Sequence, residues 1–356
     1  VLALLCGSST LHAQDFKLTS SGYFKNQGVD VMAFDDIYPE GHQGGVCIIM
    51  NGHRVATNGD IRLEATPGQW QPVPKQLDRK LGDNSITATL CYPDSSRHLT
   101  GFNPMIYPDL HLIYTVNVES KGKNIEVTVD LDRPIPQEFI GKVGFNLEFF
   151  PGSLFGKPWI MDGQSGIFPQ QPNSPLMTTQ PNYLHTGNYH DGKKSLADMN
   201  KLIGKGYSPI VADDIISEPY AKGTKFTSRP DDPYNKVTIE SLSGDLQLFD
   251  GRMNHNNGWF VLRSNIKPGV TKGAVKWIIT PNVVADWMYQ PVIQTSEIGY
   301  HPTQDKEAVI EMDIRDNRKE TAQIIRIDAD GEKVVKNVTP ANWGKFLRYN
   351  YLKVNF

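Results

Sequence analysis

The feature that most constrains this chain is a pair of strictly alternating segments in its first half. Apolar residues occupy every second position of His111–Glu119 and again of Asn124–Leu131. Gly122, at the centre of Lys121–Lys123, predicts a tight turn between them. Because successive side chains of a strand point to opposite faces, this period of two predicts antiparallel strands with one buried face and one wet face.

Strand patterns of the same kind recur along most of the chain up to about residue 290. They are predicted at Val46–Met50, Ile61–Ala65, Ile86–Leu90, Phe145–Phe149, Lys236–Leu242, Leu246–Phe249, Trp259–Arg263 and Ala274–Ile279. Asn51-Gly52 closes the first of these with a hairpin turn. Helix patterns are scarce, with two turns predicted at Ser195–Ile203 and one at Pro136–Ile140. Residues 150–196 are rich in Pro, Gly, Asn and Gln and are predicted to form a long loop.

These patterns predict an all-β chain of two domains. The first, at 14–288, is predicted to be a large antiparallel β-sandwich of the supersandwich kind, because it has too many strands for one immunoglobulin unit. Two smaller fused sandwiches are the alternative. The second, at 289–356, is predicted to be an immunoglobulin-like β-sandwich that is C-terminally incomplete. Its predicted strands Glu307–Asp313, Ala322–Ile327 and Lys333–Val338 fall short of the roughly seven that such a unit needs.

The first thirteen residues predict export. They form a short apolar run followed by small and polar residues that end at Ala13, as in the back half of a signal peptide cleaved after Ala13. A lipoprotein that uses Cys6 is disfavoured by the large Leu5 before it, and a frayed apolar tail is the remaining alternative. No other apolar run approaches the ~20 residues of a membrane-spanning helix. We therefore expect a periplasmic or extracellular protein without a membrane-spanning segment.

Net charge limits the classes of binding partner, and cysteine content limits the possible disulfides. The net charge of −3 provides no basic surface for nucleic acid, so nucleic acid is not an expected partner. After signal removal, Cys47 and Cys91 remain, and either a disulfide or two separate thiols fits the sequence.

Side chains that could carry chemistry are few. The acidic pairs Asp35-Asp36, Asp213-Asp214 and Asp231-Asp232 suit Ca²⁺ ligation, but such pairs are more often solvated turns. His185 and His190 lack the spacing of a zinc site. We therefore predict no metal, no cofactor and no catalytic residue. Three aromatic residues, Trp70, Trp159 and Tyr183, are candidates for glycan contact, because flat rings stack on sugars. The alternative is that they fill the core.

A family resemblance rests on an ordered motif at the start of the second domain, Gln294-x-Ser296-x-x-Gly299-Tyr300-x-Pro302. The Lys306–Ile310 strand, the Ile327–Val334 hairpin and the aromatic close at Trp343–Phe346 follow it. Residues 291–356 thereby resemble the N-terminal immunoglobulin-like module of family 9 glycoside hydrolases. Residues 15–290 resemble the extra N-terminal domain of Bacteroidetes-type members. The shared segment there is Phe145-x-x-x-Phe149-x-Pro151-Gly152-x-x-Phe155-Gly156-x-x-Trp159.

The resemblance implies a parent enzyme whose catalytic domain lies outside this chain. Family 9 enzymes are inverting glycosidases in which an (α/α)6 barrel supplies an Asp pair from an Asp-Ala-Gly-Asp motif and a distant Glu as general acid. Here Asp328-Ala329-Asp330-Gly331 has the wrong order and reads as a hairpin turn. No catalytic residue is carried over.

The chain is thus expected to be the non-catalytic N-terminal part of a secreted endo-β-glucanase or cellulase. Polysaccharide would be bound through the missing catalytic domain. A non-catalytic glycan-binding surface protein is the alternative. A third hypothesis makes the large sandwich itself a carbohydrate-active enzyme, and converging His, Glu or Arg side chains on one concave face would favour it.

Overall fold

The structure is a computed structural model that describes residues 15–35, 44–68, 72–97, 110–172, 176–178, 215–253 and 258–356. Within these ranges the regular structure is β-strand, together with short 3-10 turns at Ser95–Arg97, Gln137–Phe139, Pro151–Ser153 and Gly251–Met253. The predicted all-β fold is therefore confirmed. By contact density the chain divides into two compact units, Val1–Ala285 and Asp286–Phe356.

The strands of the first unit are numbered in chain order. They are β1 Lys17–Leu18, β2 Phe24–Asn26, β3 Val29–Ala33, β4 Val46–Met50, β5 His53–Leu63, β6 Lys75–Leu81, β7 Ser85–Tyr92, β8 Leu112–Lys121, β9 Asn124–Leu131, β10 Val143–Phe149, β11 Pro158–Met161, β12 Gln164–Ile167, β13 Leu176–Thr178, β14 Ile215–Ser217, β15 Ala221–Gly223, β16 Lys225–Ser228, β17 Val237–Ser241, β18 Leu246–Asp250, β19 Phe260–Asn265 and β20 Val275–Pro281.

Two nine-stranded sheets make up the body of this unit. Sheet 1 has the order β1-β2-β3-β4-β5-β10-β19-β18-β15, and sheet 2 has the order β12-β11-β16-β17-β20-β9-β8-β7-β6. All described pairings are antiparallel, and β13 pairs only with β14. The two predicted alternating segments pair as β8 and β9, with Val116 opposite Val129. Both turn residues between β4 and β5, Asn51 and Gly52, have positive φ, as a type I′ hairpin requires.

One continuous apolar core joins the inward faces of the two sheets. Phe145 of sheet 1 meets Trp277 of sheet 2 edge-to-face, with ring centroids 5.0 Å apart, and both side chains are fully buried. Phe149 and Phe226 make a second such contact at 5.8 Å. A shared core between two large antiparallel sheets is the architecture that the alternation predicts.

Part of the segment predicted to be a loop is in fact a hairpin. β11 and β12 pair through Asp162 and Gly163 and extend sheet 2 at one edge. The prediction of a loop was wrong for these residues, because Gly and Gln in β12 hid a strand whose side chains are mostly exposed. The predicted helix at Ser195–Ile203 lies outside the described residues, as do residues 1–14 with the predicted signal remnant.

The second unit contains six strands. They are β21 Val292–Gln294, β22 Glu307–Asp313, β23 Ala322–Asp328, β24 Gly331–Val338, β25 Ala341–Phe346 and β26 Tyr349–Asn355. Four of them form a sheet in the order β21-β22-β26-β25, while β23 and β24 form a separate hairpin. Ala308, Met312, Leu352 and Val354 are buried on this sheet.

Cys47 lies on β4 of sheet 1 and Cys91 on β7 of sheet 2, and no disulfide joins them. Within the described ranges, no helix has the length and apolar character needed to cross a membrane.

Candidate functional site

The outward face of sheet 1 carries a buried cluster of charged and amide side chains, which we call the charged cluster. It is formed by residues of the neighbouring strands β5, β10 and β19 and by Glu64, which directly follows β5. Its members are Asn58, Asp60, Arg62, Glu64, Asn146, Glu148 and Arg263. Charged groups rarely leave water without partners, so each member has to be accounted for.

A β-bulge in β5 sets which side chains reach this face. Two residues, Asn58 and Gly59, occupy the space opposite the single residue between Asn146 and Glu148 of β10. Asn58 has φ of 55°, and a Cβ on Gly59 would lie 2.5 Å from the Cβ of Val46 on β4. The bulge therefore needs glycine at 59, and it shifts the phase of β5 by one residue.

The consequence of that phase shift is a clean division of β5 between its two faces. After the bulge, Ile61 pairs with the buried Phe145 on the core side, while Asp60 pairs with Asn146 on the outward side. Without the extra residue, the acidic side chains of β5 would point into the apolar core.

Glu64 and Arg263 are the most tightly connected pair of the cluster. Arg263 Nη1 lies 3.1 Å from Glu64 Oε1, and each side chain is 1% exposed. The Nδ2 of Asn146 donates to the same Glu64 oxygen at 2.6 Å. Glu64 Oε2 is buried and has no hydrogen-bond partner among the residues that the structure describes. Oε1 of Glu64 thus accepts two hydrogen bonds, whereas Oε2 is bare, meaning that it accepts none from the described residues.

Asp60 caps an open strand edge. Pairing of β4 with β5 ends at Gly59, which exposes the N–H groups that follow on that side. Asp60 Oδ1 accepts the N–H of Ile61 at 2.7 Å and the phenol of Tyr114 at 2.8 Å. Further along, the Tyr92 hydroxyl accepts the N–H of Leu63 at 3.0 Å. Side chains thereby replace the missing strand as hydrogen-bond partners.

The remaining members are joined by one ion pair and one hydrogen bond. Arg62 Nη1 lies 3.6 Å from Asp60 Oδ2, and Asn58 Nδ2 donates to Glu148 Oε2 at 2.6 Å. The cluster contains three carboxyl groups and two guanidinium groups, so it carries one excess negative charge when every group is ionised.

Burial shifts the titration of two of these acids toward neutral pH. It raises the pKa of Glu64 to about 7, although Arg263 and the Asn146 hydrogen bond act in the opposite direction. It raises the pKa of Asp60 to about 6, against the opposing effects of Arg62 and Tyr114. Burial also lowers the pKa of the Arg263 guanidinium. The charge excess and the low-dielectric surroundings together favour one bound proton near neutral pH.

The cluster can therefore take up and release a proton near pH 7, which is the chemical requirement for a general acid or base. Its side chains are saturated largely by one another, and Arg263 alone reaches five acceptor atoms. Perturbed carboxyl groups mark functional sites in many proteins, but structural ion networks perturb them as well.

The residues that the sequence singled out lie elsewhere. Trp159 is on β11 and is 6% exposed, with its ring against Gly166 of β12. A glycan role for it stays a prediction and would need the ring to become exposed. Trp70 and Tyr183 lie outside the described residues. In the Asp231-Asp232 pair, Asp232 accepts from Arg229, Asn235 and the Tyr234 N–H, so it organises a turn.

Two further sequence predictions concern metal ligation and the false Asp match. Among the described residues, no group of three His, Cys, Asp or Glu side chains is placed to hold a metal ion. The chain turns at Ala329 and Asp330 in the β23–β24 hairpin, and Gly331, which has φ of 111°, opens β24 opposite Asp328, so the Asp-Gly pair lies at a hairpin turn as predicted.

Sequence reasoning missed the charged cluster altogether. The only local signal was the alternation of Asp60, Arg62 and Glu64 with Ile61 and Leu63, which reads as an ordinary strand with a wet polar face. The burial of that polar face depends on the rest of the fold and leaves no mark in the local pattern.

Comparisons with known proteins give structural neighbours only. No family model matches the chain, and no curated protein matches it. The Slr1438 protein of Synechocystis sp. PCC 6803 has a TM-score of 0.33 at 9% identity, covering 75% of this chain and 96% of its own. A galactose mutarotase-like protein of Lactobacillus casei ATCC 334 has a TM-score of 0.34 at 10% identity, and the match covers 72% of this chain and 98% of that protein. A galactose mutarotase related enzyme of Lactobacillus acidophilus has a TM-score of 0.32 at 9% identity, and the match covers 72% of this chain and 96% of that protein.

Proposed function

We propose that this chain is the non-catalytic front part of an exported β-glucan hydrolase of the family 9 type. Hydrolysis would be performed by an (α/α)6 barrel outside these 356 residues. In this proposal the two β units support and present substrate to that barrel, and no residue of this chain touches the bond that is cleaved.

The observation that carries the proposal is the way the opening motif of the second unit is built. The Tyr300 hydroxyl accepts the N–H of Ser296 at 3.1 Å and donates to the carbonyl of Glu307. Gly299 has φ of 79°, which glycine adopts without strain, and its N–H donates to the Ser296 carbonyl at 3.1 Å. Gly299 and Tyr300 are thus the motif residues that the turn physically requires.

This turn links two strands of the four-stranded sheet. Gln294 at the end of β21 pairs with Val309 of β22, and the Tyr300 ring meets Phe356 edge-to-face at 5.4 Å. Such a turn supports the resemblance to the family 9 module, with a structural reason for the matched positions Gly299 and Tyr300.

The state of the charged cluster also supports a non-catalytic role for the large sandwich. A catalytic carboxyl group must reach substrate, yet Glu64 and Asp60 are 1% and 3% exposed. Their arginine partners are likewise held within the cluster. A buried network of this kind suits a stabilising role.

Two measurements test the proposal. The purified chain is expected to release no reducing ends from carboxymethylcellulose or xyloglucan, and appreciable turnover would contradict it. The reading frame beyond Phe356 is expected to encode a helical barrel with an Asp-Ala-Gly-Asp motif. Further β-sandwiches in its place would favour the glycan-binding surface protein, and an early stop would do the same.

A second candidate function is favoured by one observation, the bare Oε2 of Glu64 on a carboxyl group with a pKa of about 7. In this candidate, the converging Glu and Arg side chains of sheet 1 perform acid–base chemistry on a sugar ring. An NMR time course with a panel of aldoses and uronate-containing oligosaccharides tests it. Any turnover would have to disappear in Glu64→Gln while the control Glu240→Gln keeps it.

A further inference from the structure

The outward face of sheet 2 combines short polar side chains with charged side chains and two isoleucines, Ile113 and Ile278. On β7, β8, β9, β20 and β17 every second residue is buried, and the residues between them point outward and are half-buried or exposed. Because the alternation is unbroken across adjacent strands, the outward residues form straight cross-strand rows.

Threonine and asparagine dominate two of these rows, which together we call the threonine face. In the first row Thr87 lies opposite Asn117, which lies opposite Thr128. In the second row Thr280 lies opposite Thr238, which lies opposite Thr227. Neighbouring strands are about 4.8 Å apart and alternate residues of one strand about 6.8 Å apart, so the face presents hydroxyl groups on a grid.

The hydroxyl groups of this face are held in place and are still able to bind. Thr87 Oγ1 donates to Asn117 Oδ1 at 2.8 Å, and Thr227 and Thr238 share a hydrogen bond of 3.0 Å. Thr280 Oγ1 donates to Asn124 Oδ1 at 2.9 Å. A hydroxyl group has one donor and two acceptor positions, so each of these bonds leaves capacity for an outside partner.

The charged side chains beside the threonine face pair with one another. Lys121 and Lys276 both pair with Glu126, at 3.2 and 3.4 Å, and Lys225 pairs with Glu240 at 3.6 Å. The positive charges of these lysines are therefore offset by the negative charges of the neighbouring glutamates. A surface with this balance attracts neither an anionic nor a cationic partner, and it matches a neutral one.

We propose that the threonine face is a docking surface for an extended, neutral, polyhydroxylated chain, namely a β-glucan. This proposal rests on the proposed function and deepens it by assigning substrate presentation to one face of the large sandwich. A repeating grid of hydroxyl and amide groups suits a polymer with repeating hydroxyl groups, because one contact type recurs along its length. Each hydrogen bond is weak, so binding requires many of them together.

The test is a binding measurement on the whole chain with microcrystalline cellulose and with soluble xyloglucan as probes. The triple variant Thr87→Val, Thr128→Val and Thr238→Val removes three hydroxyl groups while keeping β-branched side chains that suit strands. Thr321→Val, at an exposed position of the second unit, is the matched control. Circular dichroism and thermal unfolding establish that each variant is folded.

We expect the triple variant to lose at least fivefold in affinity for one of the probes and the control variant to bind like wild type. We also expect affinity to be nearly unchanged between 50 and 500 mM salt, because the partner is neutral. A folded triple variant that binds normally overturns the proposal, as does a wild-type chain that binds neither probe. A steep salt dependence would also overturn it, by indicating a charged ligand. None of these outcomes bears on the proposed function, which fails only on turnover by this chain or on a reading frame without a barrel.

Discussion

Arg263 and Glu64 form an ion pair of 3.1 Å on the outward face of sheet 1, with both side chains 1% exposed. The guanidinium also donates to four other oxygens, those of Asn265 Oδ1, Asn146 Oδ1 and the carbonyls of Glu64 and Lys142. Arg263 therefore connects β19 to β10 and to the end of β5. The planar, five-donor guanidinium makes this possible, and no other side chain reproduces it.

At pH 8, above the pKa of about 7 of Glu64, replacement of Arg263 by Met is expected to destabilise the first unit by about 3–5 kcal/mol, because it leaves the ionised Glu64 buried without its cation. Chemical denaturation followed by tryptophan fluorescence measures this change. Lys225→Met, which breaks an ion pair of 3.6 Å with Glu240 at the surface, is the matched control and should cost at most about 1 kcal/mol. Equal effects of the two substitutions would contradict a special role for the buried pair.

The raised pKa of Glu64 predicts a pH dependence of stability with a definite sign. Its pKa in the folded chain is about 7, above the ordinary value of 4.5, so the folded state binds a proton that the unfolded state has released. The associated stability is fully present below pH 4.5 and is lost as pH rises through 7. Asp60 acts in the same direction, up to about pH 6.

We therefore expect the free energy of unfolding to decrease between pH 5 and pH 8, by up to roughly 3 kcal/mol for Glu64. Urea denaturation at several pH values measures the slope. Glu64→Gln carries a neutral side chain at every pH and should reduce this slope to the smaller contribution of Asp60, whereas Glu240→Gln should keep the full slope. A wild-type free energy of unfolding that does not decrease over this range would contradict the raised pKa of Glu64.

Much of the fold could be predicted because alternation records burial directly. In β8 and β9 the buried residues are those whose parity is apolar in the sequence, and the turn lies at Gly122 as expected. Strands with little apolar content escaped prediction. β12 reads Gln-Ser-Gly-Ile and β6 is mostly exposed, so neither carries a burial pattern.

The charged cluster could not be predicted, for a different reason. Its strands follow the rules of an ordinary amphipathic strand, with Ile61 and Leu63 inward and Asp60 and Glu64 outward. Only the bulge at Asn58-Gly59 departs from the pattern, and Asn-Gly in isolation predicts a turn. The pairing of Glu64 with Arg263, 199 residues away, is set by the sheet order and has no local signal.

Gly166 on β12 gives a test of how tightly the edge of sheet 2 is packed. A Cβ at this position would lie 2.6 Å from Cζ2 of the Trp159 ring and 2.8 Å from its Cε2. Gly166→Ala is expected to push the ring aside and cost about 1–3 kcal/mol. Gly163→Ala, in the same hairpin, should be nearly neutral, because a Cβ there would meet no described atom within 4 Å. Differential scanning calorimetry compares the two, and similar unfolding temperatures would mean that Trp159 is not packed against this strand.

The Asp313 carboxylate holds the start of the second unit in place through hydrogen bonds. Its carboxylate accepts the N–H and Nε of Arg315 at 3.0 and 2.8 Å, and the N–H of Tyr289 at 3.1 Å. Burial alone would raise the pKa of Asp313, but these hydrogen bonds lower it to about 2. The stabilisation is therefore present above the ordinary pKa of 3.8 and is lost as pH falls through 2.

Asp313→Asn removes the charge and turns one acceptor into a donor facing these N–H groups, so it should cost about 1–3 kcal/mol. Amide hydrogen exchange measured by NMR should show Tyr289 and Arg315 exchanging about tenfold faster or more, since each 1.4 kcal/mol corresponds to a factor of about ten. Asp305→Asn, at an exposed position of the same unit, is the control and should leave both amides protected. If the two amides exchange at the wild-type rate in Asp313→Asn, the segment at 287–289 is held by the ring contacts of Tyr289 with Trp287 and Tyr349 and not by the carboxylate.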